Sequence, residues 1–138
     1  MSNSKFRYSP EPEPHKARTK QILSQYPQVR NLIGKNPLTI FPLVGIVLSM
    51  IVVSYLLKDS SWWLVFLVAY TYGAFANHAL FVMIHECSHN LLFKGKIPNY
   101  LASMTANLPH VLPSAISFTR YHRMHHVHQG NHDLDADL

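Results

Sequence analysis

Five histidines in two short clusters carry the chemistry this sequence can do. The first cluster, His85-Glu86-Cys87-Ser88-His89, sets two imidazoles four residues apart. On a helix such positions share a face one turn apart, so both rings can reach one metal ion. The second, His122-Arg123-Met124-His125-His126, projects three imidazoles into one narrow sector through the spacings i, i+3 and i+4. His78, seven residues before His85 and so two helical turns upstream on nearly the same face, is a further candidate ligand. Imidazole is the commonest metal ligand among side chains, and clusters at this spacing have no ordinary packing role.

Two chemistries compete for the first cluster. Read alone it is H-E-x-x-H, in which His85 and His89 would hold zinc and Glu86 would activate a water for peptide hydrolysis. A membrane zinc metalloprotease needs one further ligand, whereas His122, His125 and His126 supply too many. Several all-histidine boxes suit non-haem iron better, because imidazole supports both ferrous and ferric states and leaves positions for O2. Two irons sharing oxygen can take hydrogen from an unactivated methylene, a step beyond any side-chain acid or base. The remaining histidines have blander readings: His110 lies in a proline-flanked loop, and His128 and His132 follow the second cluster as solvent-facing residues.

The elements that must position these clusters are membrane helices. Leu38 to Leu57 is a run of 20 residues without charge, about the length that crosses a hydrocarbon core of roughly 30 Å. Lys58-Asp59-Ser60-Ser61 is a tight polar turn, Trp62-Trp63 an interfacial anchor, and Trp62 to Ile84 a second uncharged run long enough to return. The result is a transmembrane helical hairpin within an all-α fold. Seven of the twelve cations precede residue 37, and Lys94 and Lys96 follow the second run, so both ends of the hairpin are expected in the cytoplasm with the histidine boxes. The third apolar stretch, Tyr100 to Phe118, contains Asn107, Pro109, His110 and Pro113 and is too short for two crossings. If His85 and His122 share one site, the chain crosses an even number of times between them, and zero is the number that fits. A re-entrant or interfacial segment is therefore expected.

The first 36 residues are polar. Ser9-Pro10-Glu11-Pro12-Glu13-Pro14 reads as extended or disordered, and Ile22, Leu23, Tyr26, Val29 and Leu32 mark a short amphipathic helix interrupted at Pro27. A basic segment beside a long apolar run indicates a membrane flank rather than a nucleic-acid partner. One cysteine, Cys87, excludes an internal disulfide framework. No cleavable signal peptide is visible, and Ser2 stands where myristoylation needs glycine.

Four stretches in order resemble the sphingolipid delta-4 (dihydroceramide) desaturase family. They are Pro14-His15-Lys16-Ala17-Arg18 with Ile22-Leu23 and Tyr26-Pro27; Asn77-His78 with Ile84-His85-Glu86 and Ser88-His89-Asn90; Ala106-Asn107-Leu108-Pro109; and Ser117-Phe118 with Arg120-Tyr121-His122 and His125-His126. Gly130, Asp135 and Asp137 fall where that family has a glycine and an acidic pair. The resemblance implies an endoplasmic-reticulum, multi-pass enzyme that introduces a trans 4,5 double bond into dihydroceramide, with C4 hydroxylation as the close alternative. It implies two irons, O2, and electrons from a separate cytochrome b5 and its NADH-dependent reductase. His85, His89, His122, His125 and His126 would ligate iron, with Glu86 and Asn90 as candidates to orient ligand imidazoles. Asp135 and Asp137 would face the lipid head group or hold a neighbouring ligand. Residues 1–36 correspond to the family's N-terminal segment and 37–138 to a membrane desaturase domain that lacks a third histidine box, so the chain is expected to be a fragment and inactive alone. His128 and Gln129 depart from the aromatic and aliphatic residues expected there.

Overall fold

Prolines punctuate the first elements. Pro14 precedes helix α1 (His15–Gln25), and Pro27, which cannot supply the next helical N–H, turns the chain into a 3-10 segment, Pro27–Leu32. The expected interruption of an amphipathic helix at Pro27 is thus observed. The structure is a computed structural model that describes Glu11 and residues 14–136. The expectation for residues 9–14 falls mostly outside the described residues, and Asp137 lies outside them. The chain forms two compact units: 35–123, and the segment up to residue 34 together with 124–138.

Within the larger unit, Asn36 and Pro37 start the first membrane helix. The Asn36 carboxamide oxygen accepts from the Leu38 N–H at 3.2 Å, and a 3-10 turn, Pro37–Thr39, leads into α2 (Ile40–Leu56). The turn at Lys58–Ser61 lies where the charges predict it. The returning helix has three parts: α3 (Trp62–Val68), a π-helical turn at Ala69–Gly73, and α4 (Ala74–Ser88). The Thr71 hydroxyl donates to the Leu67 carbonyl at 2.7 Å and competes with the backbone for that acceptor, which favours the wider turn. The Tyr72 hydroxyl from this turn meets the Ser49 hydroxyl of α2 and ties the two helices together.

Two helical stretches, Pro27–Leu56 and Trp62–Ser88, are long and apolar enough to cross a membrane. Their outer faces are apolar and exposed, through Phe41, Leu48, Ile51 and Tyr55 on one and Trp63, Phe66, Tyr70 and Phe75 on the other. The second stretch runs to Ser88, four residues beyond the uncharged run, and carries the first histidine pair on its last turn.

Helix α5 (Lys96–Asn107) is amphipathic in the inverted sense. Its buried face is Asn99, Ala102, Ser103, Ala106 and Asn107, whereas Ile97, Leu101 and Met104 are exposed. Such a face suits hydrocarbon or the membrane interface rather than water. Its 12 residues span about 18 Å, short of a hydrocarbon core. A helix of this length between the two boxes is consistent with the expectation that the chain does not cross there. Small residues on α5 let it join Leu43 and Val47 of α2 and Leu80, Ile84 and Cys87 of α4 in one core. Helix α6 (Ala115–His128) follows, and no strand occurs among the described residues.

Candidate metal centre

The last turn of α4 is closed by a Schellman motif. The Asn90 N–H donates to the Cys87 carbonyl at 2.9 Å and the Leu91 N–H to the Glu86 carbonyl at 3.1 Å. Asn90 takes φ +56°, a left-handed conformation that asparagine tolerates better than most side chains. The lead-in to α2 fastens onto this same turn: the Lys35 ammonium donates to the Asn90 carbonyl, and the Asn36 N–H to the Leu91 carbonyl at 2.9 Å. The start of the first span and the end of the second therefore lie together, as a hairpin requires. Beyond the turn, buried Asn99 holds the loop to α5. It accepts from the Leu92 and Phe93 N–H groups and donates to the Phe93 and Gly95 carbonyls.

Asn107 does the equivalent work before the second box. Its oxygen accepts from the Ala115 N–H at 2.6 Å and its amide donates to the Leu112 carbonyl at 2.8 Å, which fixes where α6 begins. Phe118 then packs edge-on against Phe81 of α4, centroids 5.0 Å apart, and stacks on His122 at 4.9 Å with planes 8° apart. These contacts set the rotation of α6 and the plane of the His122 ring.

Three imidazoles converge as a result. Ring centroids of His85 and His122 are 4.5 Å apart, those of His85 and His89 4.8 Å, and those of His89 and His122 5.0 Å. Their ligand nitrogens lie within 4.8 Å of one another. Nε2 of His89 and Nε2 of His122 are 3.0 Å apart. Two nitrogens bound at right angles to one metal at roughly 2.1 Å would be separated by about 3 Å, so this pair fits one ion without rearrangement. All three rings are half-buried. The donor set is all imidazole, which suits zinc or iron and leaves positions for further ligands.

His126 lies one turn beyond His122 on the same face of α6 and is exposed. The His125 Nδ1 pairs at 2.7 Å with the buried carboxylate of Asp135, whose second oxygen accepts from the Gly130 N–H at 2.9 Å. Glu86 stands 3.5 Å from the His85 Nδ1 with both side chains well exposed. His78 is exposed on α4, apart from the converging trio. The Nδ1 of His110 is buried with no hydrogen-bond partner. His132 lies 4.0 Å from the Asp133 carboxylate, on the exposed surface as expected.

Sequence reasoning found the histidines but not what holds them. Asn99 carried no signal, since a buried asparagine looks like any other in a string. Asn107 and Phe118 stood in stretches that resemble the family, but their packing roles were not legible there. The left-handed backbone at Asn90 was likewise unseen.

Residues 61–138 match the family model described as fatty acid desaturase, and residues 2–38 match that described as sphingolipid Delta4-desaturase (DES). The chain is 40% identical over 133 residues to a "Sphingolipid delta(4)-desaturase DES1-like" of Oryza sativa, covering 96% of this chain and 40% of the relative. It is 45% identical over 128 residues to a "Sphingolipid delta(4)-desaturase" of Schizosaccharomyces pombe, covering 91% and 35%. It is 36% identical over 140 residues to a "Putative sphingolipid delta(4)-desaturase/C4-monooxygenase" of Caenorhabditis elegans, covering 100% and 39%. The chain thus spans about two fifths of the length of these relatives. No solved structure matches.

Proposed function

Since the chain belongs to the fatty acid desaturase family, we propose that it is the part of an O2-dependent sphingolipid delta-4 desaturase that carries the first two histidine boxes. Dihydroceramide is the substrate and ceramide the product; C4 hydroxylation is the alternative outcome, a function that the name of the C. elegans relative includes. The observation that carries the reading is the convergence of His85, His89 and His122 at distances that fit one ion. The same three imidazoles would also suit zinc, and the match to the fatty acid desaturase family supports iron. His126, one turn along the face of His122, and His125 complete the second box.

Bound iron supplies, with O2, an oxidant strong enough to remove hydrogen from an unactivated methylene. The chain's own residues do the rest. The imidazoles would hold the metals, and Phe118, backed by Phe81, lies against His122 and offers apolar surface to a lipid chain. The apolar face of α5 keeps the centre at the depth of the head groups, which selects a methylene close to the polar end of the lipid. Residues 1–36 form the sphingolipid-desaturase segment and 37–138 the desaturase domain. The excess of cations before residue 37 supports a cytoplasmic N-terminus and cytoplasmic boxes, in reach of cytochrome b5 and its reductase at the endoplasmic-reticulum surface.

The test is conversion of N-hexanoylsphinganine by membranes that express the intact protein, with NADH and cytochrome b5 added, products identified by mass. His122→Ala should lower product by at least about 100-fold, the upper end of what loss of a residue that merely orients a ligand costs, while the protein still resists carbonate extraction. Undiminished turnover by that variant would overturn the proposal, as would a wild-type protein that yields neither unsaturated nor C4-hydroxylated product.

A further inference from the structure

Asp135 sits seven residues past the end of α6, in a turn that folds back on the helix. Gly130, at φ +78°, makes the reversal possible, and the Asn131 carbonyl accepts from the N–H groups of Leu134 and Asp135. The carboxylate that this turn delivers is buried, with 1% of its side chain exposed. Burying a carboxylate is costly unless its oxygens are bonded. One oxygen accepts from the Gly130 N–H at 2.9 Å, and the other is 2.7 Å from the His125 Nδ1, the length of a charge-assisted bond. The backbone bonds to the His128 and Asn131 carbonyls and the Gly130 bond already close the turn without the second oxygen. The second oxygen is spent on one imidazole of the second box.

We propose that Asp135 is a positioning residue for His125: its buried carboxylate accepts a hydrogen bond from the Nδ1–H, fixes the tautomer that leaves the Nε2 lone pair for a metal ion, and locks the ring's rotation. A ligand imidazole held this way is both more basic and entropically prepared. The inference rests on the proposed function insofar as His125 binds metal. It adds that the turn after α6 serves the second histidine box through His125, because Gly130 and Asn131 adopt conformations that bring Asp135 back to that ring.

Cobalt(II), followed by its visible absorption, titrates the purified protein in detergent micelles and reads binding without turnover. Asp135→Ala and Asp135→Asn should weaken cobalt binding roughly 10- to 100-fold, and Asp135→Glu should recover part of that loss. In a His125→Ala background the further change Asp135→Ala should alter affinity by less than about twofold, because the residue acts through that ring. Full additivity of the two losses would mean that Asp135 merely stabilises the turn, and would overturn the proposal; so would an unchanged affinity in Asp135→Ala. Nitrogen-15 histidine spectra of the metal-free protein give a separate reading. His125 should carry its proton on Nδ1 in the wild type and mix tautomers in Asp135→Ala, and mixed tautomers in the wild type would contradict the assignment. A wild type that binds no cobalt while His125 keeps its Nδ1 proton would defeat the proposed function and leave the His125–Asp135 coupling standing.

Discussion

At the scale of single residues, the five box histidines divide by the company they keep. His85, His89 and His122 meet one another, whereas His125 meets a carboxylate. Spacing made the clusters legible, because i, i+3 and i+4 must share a helical sector. It could not say which rings meet, since that depends on how α4 and α6 are rotated, and the rotation is set by Phe118, Phe81 and Asn107. Asn90 was a candidate to orient a ligand imidazole; in the structure it contributes backbone, as the left-handed residue that ends α4. Asn90→Gly should therefore preserve cobalt affinity within about threefold, because glycine takes positive φ without strain. Asn90→Val should destabilise the protein by about 1–2 kcal/mol, the cost of forcing a β-branched residue into that conformation. Denaturation midpoints of the two variants in mixed micelles check this, and equal losses would indicate that the side chain matters instead.

At the scale of elements, two helices do what their sequences announce and one does something more. The polar turn at Lys58 and the two uncharged runs foretold the hairpin. The prolines and asparagine after Tyr100 foretold a segment unable to cross. The π-helical turn at Ala69–Gly73 was not foretold, because it depends on a hydroxyl bond at Thr71 and on the helix opposite. Helix α5 reads as an apolar stretch with misplaced polar residues until its burial is seen. Asn99, Ser103 and Asn107, four residues apart, are the face it buries. Asn99 is fully buried and serves four backbone groups in the loop after the first box. Asn99→Ala should leave several of them without partners and cost about 2–4 kcal/mol. Thermal unfolding of the variant against wild type measures it, and a loss below about 0.5 kcal/mol would mean that water replaces the carboxamide.

At the scale of the larger unit, 35–123, the arrangement is a hairpin of two helices long and apolar enough to cross a membrane, whose two ends are fastened to each other beside a candidate metal centre. Lys35 and Asn36, at the entrance to the first span, bind the carbonyls of Asn90 and Leu91, next to His89. The charge pattern implied this proximity, since both ends were expected on one side, but not the direct bonds. The hairpin thus brings the start of its first helix to the end of its second, where His85 and His89 stand, and α5 turns an exposed apolar face outward. The central claim, that histidines from both boxes hold one iron, is tested most directly by iron K-edge X-ray absorption on the iron-loaded protein. The account predicts a first shell dominated by imidazole nitrogen at roughly 2.1 Å, with its amplitude reduced alike in His85→Ala and in His122→Ala. A shell of oxygen alone, or one that loses nitrogen in only one of the two variants, would contradict it.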